Sequence, residues 1–340
     1  MSTILATTLG RRTLRRTLAG ATDFGRSRPG RRISHSRDRL AAMPSRTFRL
    51  DAPLDLRLTL GPLVRGTGDP AMRLTPGRAL RATRTADGPA TIELVVAGGE
   101  LRVESWGQGA EAALEGAATL AGLDDDRADF EPGRGLIGEL DRRLRGLRIG
   151  RTGAVLEALV PAILEQKVVG IEARRAYRGI IARWGETAPG PFGLRLLPPP
   201  EILAAIPYHE LHPLGVERRR ADLIRAVGAR ATRLEEVVTL PREDAYRRLR
   251  ALPGIGPWTA AEVALRALGD PDAVSVGDFH LPNLVSFALA GEPRGTDARM
   301  LELLEPYRGQ RGRVIRLLEA SGIWPPARGP RCPIRSIAAI

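Results

Sequence analysis

From Arg46 to Trp106 apolar and polar residues alternate in short bursts separated by Gly and Pro: "FRLDAPLDLRLTLG", "AMRLTPG", "ALRATRTADG", "ATIELVVAGG" and "ELRVESWG". A period of two puts every second side chain on one face of a pleated strand, and the turn residues between bursts predict antiparallel strands. The run "EAALEGAATLAGL" then changes to helical spacing. Residues 46–126 therefore predict a small α+β antiparallel-sheet domain, with "DDDRADFEPGRG" as its boundary. Beyond Leu136 the spacing stays helical. "GLIGELDRRLRGL", "AVLEALVPAILEQKVV", "IEARRAYRGIIARWG", "PEILAAI", "VERRRADLIRAVGARA" and "REDAYRRLRAL" place apolar residues at i, i+3, i+4 and i+7, with Gly or Pro stops between them. The stretch "GETAPGPFGLRLLPPP" reads as a loop. Residues 136–323 thus predict an all-helical domain, and 324–340, with four prolines, a tail.

Composition narrows this picture. A chain of 340 residues can bury the cores of two or three domains. Its formal charge of +13 suggests a polyanionic partner, but residues 1–42 hold ten Arg against Asp23 and Asp38 and carry +8 of it. Basicity is therefore modest evidence for nucleic acid until a motif sets charge on a binding face. Residues 1–45 predict a disordered basic tail. Their Arg- and Ser-rich, acid-poor composition also matches an organellar transit peptide or an upstream start with Met43 as initiator. Arg outnumbers Lys 51 to 1, so Lys167 is the only side-chain amine available for a Schiff base. One cysteine, Cys332, excludes an intramolecular disulfide, a Cys-rich zinc site and a four-thiolate iron–sulfur cluster within the chain, and fits a reducing, cytoplasmic setting. No apolar run reaches the roughly 18 residues of a membrane span, and His209, His212 and His280 have no spacing that points to a metal.

Chemistry concentrates in "LPGIGPWTAAEVALRALGDPDAVSVGDFHLPN", residues 252–283. "PGIG" lies between two helical runs, and Gly254 and Gly256 can adopt positive φ or let a phosphate approach the backbone. Amides at the next helix start would then face an anion. The same pattern also makes an ordinary corner between helices. Further on, Asp278 precedes "FHLPNLVSFALA", which predicts a helix from about Phe279 with Asp278 as its N-cap and Pro282 in its first turn. The amides and dipole of a helix start favour negative charge, which suits a carboxylate facing a developing cation.

Taken together, "LPGIGPWTA" and "VSVGDFHL" resemble the helix-hairpin-helix, Gly-Pro, Asp signature of the DNA base-excision glycosylases, and more closely the DNA-3-methyladenine glycosylase II group. "ALVPAILEQKVVGIEA", "LGVERRRADLIRAVG" and "LEPYRGQRGRVIRLL" are similar to further segments of that group, and the α+β module to its TATA-binding-protein-like domain, so the likeness covers residues 46–323. The resemblance implies a hairpin at 252–258 that grips duplex DNA and a monofunctional glycosylase that cleaves the bond between an alkylated purine and deoxyribose, initiating base excision repair. It assigns catalysis to Asp278, a base pocket to Trp258, Tyr307, Phe279 and Glu262, and DNA contacts to Gly254, Gly256, Thr259, Gln166 and Lys167. Core packing is an equal reading for Trp258 and the preferred one for Phe279. Trp258 stands where bifunctional members carry lysine, hence the expectation of hydrolysis without strand cleavage. Lys167 falls where the group often presents an apolar wedge, with Gln166 beside it as a partner for the orphaned base. Glu262 and Gly312 replace aromatic residues and imply a wider or more polar pocket. A monovalent cation at the hairpin is implied; no other cofactor or metal is. The expected partner is damaged double-stranded DNA and the expected state a monomer. A glycosylase for a deaminated or oxidised base, or a non-catalytic DNA-binding protein, are the competing readings.

Overall fold

The computed structural model describes residues 44–326; the basic segment before Pro44 and the terminal stretch that holds Cys332 lie outside the described residues. Strands β1 (Ser45–Arg49), β2 (Met72–Thr75), β3 (Arg78–Thr85), β4 (Gly88–Ala97) and β5 (Glu100–Trp106) form one antiparallel sheet in the order β1-β5-β4-β3-β2. Between β4 and β5 the chain reverses in two residues, Gly98 at φ +59° and Gly99 at φ +77°. Two consecutive left-handed residues are what a tight hairpin with the right twist needs, and glycine supplies them without a Cβ penalty. The turn sets Ala97 opposite Glu100, and the period of two then puts Ile92, Leu94, Leu101 and Val103 on one buried face. Helices α2 (Ala110–Glu115) and α3 (Ala117–Leu120) cover that face. On the other face Leu80 and Ala82 pack against Ala188, Leu194 and Leu196 of the predicted loop.

One alternating stretch is not a strand. "LDLRLTL" forms helix α1 (Leu56–Leu60), because Asp55 Oδ1 accepts from Arg57 N (2.7 Å) and Leu58 N (3.1 Å) and caps it. Leu56 and Leu60, one turn apart, then enter the same core as the sheet. Cap and burial together outweigh the period of two.

The remaining elements are helical: α4 (Leu136–Arg143), α5 (Val155–Leu164), α6 (Gly170–Trp184), α7 (Pro200–Ala205), α8 (Tyr208–Leu211), α9 (Arg218–Gly228), α10 (Ala231–Glu235), α11 (Arg242–Arg250), α12 (Pro257–Val263), α13 (Leu281–Ala290), α14 (Asp297–Leu304) and α15 (Arg311–Ser321). Helix α5 is apolar all round apart from Glu157, and its other nine residues are buried, as a helix without a polar face must be. It has no side-chain cap of its own. Glu235 of α10 accepts from Val155 N and Leu156 N, both at 2.8 Å, and Arg220 Nη1 of α9 donates to Leu164 O at 2.9 Å. A carboxylate at the start and a guanidinium at the end match the helix dipole. Glu157 accepts from Arg81 Nη2, Thr83 Oγ1 and Arg84 N, tying α5 to β3.

Two helical cores result. One surrounds α5 with α6, α9, α10, α11 and α12; the other joins α4 to α13, α14 and α15. The boundary segment after α3 is anchored rather than free: Asp125 accepts from Arg313 Nη1 (2.8 Å) and Nη2 (2.5 Å) of α15. No helix among the described residues is long and apolar enough to cross a membrane.

Candidate active site

The segment from α12 to α13 links the two helical cores and carries Trp258, Thr259, Glu262, Asp278 and Phe279 of the residues picked out by sequence. Helix α11 buries Ala245 and Leu249, α12 buries Val263, and residues 251–256 turn between them. Gly254 sits at φ +100°, and a Cβ there would meet Leu223 Cδ2 at 2.9 Å, so glycine is required by the fold. Gly256 differs from expectation: its φ of −88° is open to any residue, and a Cβ would meet nothing within 4 Å. Nothing inside the chain requires glycine at 256.

After α5 the chain turns at Lys167, which is exposed and has φ +56°, alone among the described non-glycine residues in being left-handed. Such a backbone costs on the order of 1–3 kcal/mol. Gln166 next to it is engaged within the protein, its Nε2 donating to Gly254 O (3.0 Å) and Thr259 Oγ1 (2.9 Å). Thr259 is only 2% exposed. In this structure Gln166 and Thr259 tie the α5 turn to the glycine turn.

Helix α13 starts at Leu281, two residues later than expected. His280 takes the N-cap position, and Asp278, two residues earlier, holds the helix start: Oδ1 accepts from His280 N (2.7 Å) and Leu281 N (2.9 Å). Its Oδ2 accepts from Trp258 Nε1 at 3.0 Å, across 20 residues of sequence. Each carboxylate oxygen can take two donors, so Oδ2 keeps one acceptor direction. Trp258 is half-buried and packs in none of the hydrophobic clusters, so the core-anchor reading of it finds no support. Phe279, for which core packing was preferred, is 81% exposed beside the carboxylate, with His280 edge-on at 5.0 Å between ring centroids.

A cavity of about 350 Å³ is lined by Ser275 and Leu281, both hydrogen-bonded to Asp278, and by Pro62, Glu262, Arg266 and Trp324 among others; Asp278, Trp258 and Phe279 themselves do not line it. Glu262 reaches it from α12. Its Oε2 accepts from Arg266 Nη1 and its Oε1 from Ser275 Oγ, both at 2.6 Å. Burial works against the charge of Arg266, but Glu262 and Glu165 outweigh it and hold its pKa above the ordinary guanidinium value. Tyr307 does not line this cavity; it packs against the α4–α15 core, and burial raises its hydroxyl pKa. Gly312 is buried, and a Cβ there would meet Ala273 O at 2.8 Å, so close packing explains the missing aromatic side chain. Arg266 and Ser275 escaped the sequence reading. The i, i+4 spacing of Glu262 and Arg266 was a visible signal; Ser275 carried none. Among the described residues no group of three or more His, Cys, Asp or Glu side chains could hold a metal ion.

No family model matches the chain. It is 34% identical over 139 residues to the probable bifunctional transcriptional activator/DNA repair enzyme AlkA of Mycobacterium tuberculosis, covering 40% of this chain and 28% of that protein. The chain thus spans less than a third of that relative's length. Against DNA-3-methyladenine glycosylase 2 of Escherichia coli it is 28% identical over 198 residues, 58% of this chain and 69% of the other. The solved 3-methyladenine DNA glycosylase of Archaeoglobus fulgidus shares the fold, with a TM-score of 0.69 at 22% identity over 81% of this chain and 97% of its own. These likenesses bear out the resemblance read from "LPGIGPWTA" and "VSVGDFHL".

Proposed function

We propose that the chain is a monofunctional DNA glycosylase that hydrolyses the N-glycosidic bond of alkylated purines, of the 3-methyladenine type, in duplex DNA. The observation that carries this reading is Asp278: a carboxylate fixed by two helix-start amides and an indole N–H, with one acceptor direction of Oδ2 left open. As the base departs, positive charge builds on the sugar. A carboxylate about 4 Å from that charge is worth about 4 kcal/mol at an effective dielectric of 20, or roughly three decades of rate. The open lone pair of Oδ2 is also the acceptor that would orient or deprotonate the attacking water. The base must leave the stack first, since the bond is out of reach inside a duplex.

In this reading α11, residues 251–256 and α12 are a helix-hairpin-helix that holds the DNA backbone through main-chain amides, and the five-stranded sheet is the TATA-binding-protein-like module. Gly256, open on its Cβ side, offers a phosphate close approach. Lys167, held out at the turn, reaches phosphates or the gap left by the extruded base, and Phe279 stacks on an exposed nucleotide. A monovalent cation would have to use main-chain carbonyls of the turn, of which Leu252 and Gly254 already accept hydrogen bonds from Ile255 N and Gln166 Nε2; no step depends on it. In a non-catalytic DNA-binding protein Asp278 would serve only its bonds to the start of α13 and to Trp258, and its charge would repel phosphate. The proposed cytoplasmic location follows from the DNA partner.

Methylated duplex DNA incubated with the full chain should release free 3-methyladenine or 7-methylguanine, and borohydride added during the reaction should trap no protein–DNA adduct. A trapped adduct would place an amine, Lys167 or the terminal amine, at the sugar and end the monofunctional reading.

A further inference from the structure

The cavity lined by Ser275 and Leu281, the hydrogen-bond partners of Asp278, is unusual in what it lacks. Among the described residues Trp324, half-exposed, is its one aromatic lining residue, so these do not hold an entering base between rings. Its polar groups include a nearly buried carboxylate, Glu262, whose side chain is 13% exposed. The volume of about 350 Å³ falls within the range of about 300–1,000 Å³ typical of small-ligand sites.

Glu262 is fixed but not saturated. Oε1 holds one donor, Ser275 Oγ, and Oε2 holds one from a side chain, Arg266 Nη1. Two oxygens have acceptor sites for about four donors, so about two remain for an occupant. Arg266 is itself fixed by Pro62 O (3.1 Å) and Glu262 O (3.1 Å), and Ser275 O accepts from Asp278 N at 3.1 Å. The carboxylate and the Asp278 loop therefore share one rigid frame. A group placed in the cavity meets an ionic acceptor that cannot swing away, and a hydrogen bond to a charged acceptor is stronger than one between neutral groups.

We propose that Glu262 is a specificity-determining residue that selects extruded bases presenting N–H donors on their edge, amino- or imino-bearing purines, against bases whose edge donors are chemically blocked. The inference rests on the glycosylase reading and adds a discrimination that reading does not contain. Bases such as 3-methyladenine and 7-methylguanine keep an exocyclic amine and fit the carboxylate. A 1,N6-etheno adduct of adenine has its amine and ring nitrogen tied into a second ring and offers no donor there.

The test compares single-turnover release of methylated purines and of 1,N6-ethenoadenine from otherwise equal duplexes by wild type and Glu262→Ala, with melting temperature and duplex affinity measured alongside. Wild type should release the methylated purines at least about tenfold faster than the etheno base, the scale of one charge-assisted hydrogen bond. Glu262→Ala should slow methylated-purine release by a similar factor and leave the etheno base unchanged, so that the ratio collapses. Parallel slowing of both, or an unchanged ratio, would overturn the inference. If Glu262→Ala does not fold, Glu262→Asp keeps the charge but withdraws the oxygens by one methylene, and the ratio should again fall; an unchanged ratio overturns the inference in that variant too. Wild type inactive on every duplex would bring down the glycosylase reading and this inference with it, whereas wild type active without preference overturns this inference alone.

Discussion

Asp278 and Trp258 lie 20 residues apart in sequence; two amides fill Oδ1, and the hydrogen bond from Trp258 orients Oδ2, the oxygen that keeps a free acceptor direction. Trp258→Phe keeps the ring and removes the donor, and should lower single-turnover base release about tenfold while duplex affinity holds. A drop in affinity instead would make Trp258 a DNA contact. The two turn glycines should separate cleanly. Gly254→Ala forces a Cβ into a left-handed residue and against Leu223, and should cost about 1–3 kcal/mol of stability in denaturant unfolding. Gly256→Ala meets no atom, so its unfolding midpoint should not fall while its affinity drops for damaged and undamaged duplexes alike. A loss confined to damaged duplexes would contradict the backbone-grip role. Residue types were legible from spacing: Asp278 at a helix start and Gly254 as a turn residue both follow from local chemistry. Pairings were not, because Trp258 with Asp278 and Glu262 with Ser275 meet only through the path of residues 264–277, which includes a π-helical turn at Ala264–Leu268 that no periodicity announces.

The elements follow the same division. Helix α5 was readable from its apolar run, but its caps, Glu235 and Arg220, come from α10 and α9 and leave no local signature. "LDLRLTL" misled because alternation over seven residues suits a strand and a short capped helix equally well, and only Asp55 and the shared core decide. The segment that carries Asp278 is tethered at its other end by Asp272, whose Oδ1 accepts from Gly309 N, Arg311 N and Arg311 Nε, and whose Oδ2 accepts from Arg311 Nη2 at 2.6 Å. Burial alone would raise this carboxyl's pKa; the Arg311 guanidinium and the amides outweigh it and hold it below the usual value. A depressed folded pKa means that the unfolded chain binds the proton more readily. The stabilisation is therefore full above the unfolded value of about 3.9 and is lost as pH falls through the lower folded value. Asp272→Asn should destabilise at pH 7, and its difference from wild type should shrink in unfolding measured near pH 3. A difference that stays constant over that range would show the ion pair to be idle.

At the scale of the molecule, the sheet and the two helical cores are joined by a few buried charges. Arg313 is 1% exposed and pairs with Asp125, which also accepts from Ile149 N. The segment "DDDRADFEPGRG" looked like a boundary because its composition is acidic and rich in Gly and Pro; the partner that buries Asp125 lies 188 residues away and has no trace in local sequence. Removing one member of such a pair leaves the other buried and unpaired, so Asp125→Ala should cost about 3–5 kcal/mol in denaturant unfolding. A cost near zero would mean that water replaces the carboxylate. Within this framework Trp258 of α12 meets Asp278 before α13, and the proposed chemistry depends on that carboxylate above all. Its most direct test is release of free bases from methylated duplex DNA by wild type and by Asp278→Asn, resolved by chromatography, with duplex affinity measured on both. The account predicts 3-methyladenine or 7-methylguanine from wild type alone and equal or tighter DNA binding by the variant. Turnover retained in Asp278→Asn would contradict it.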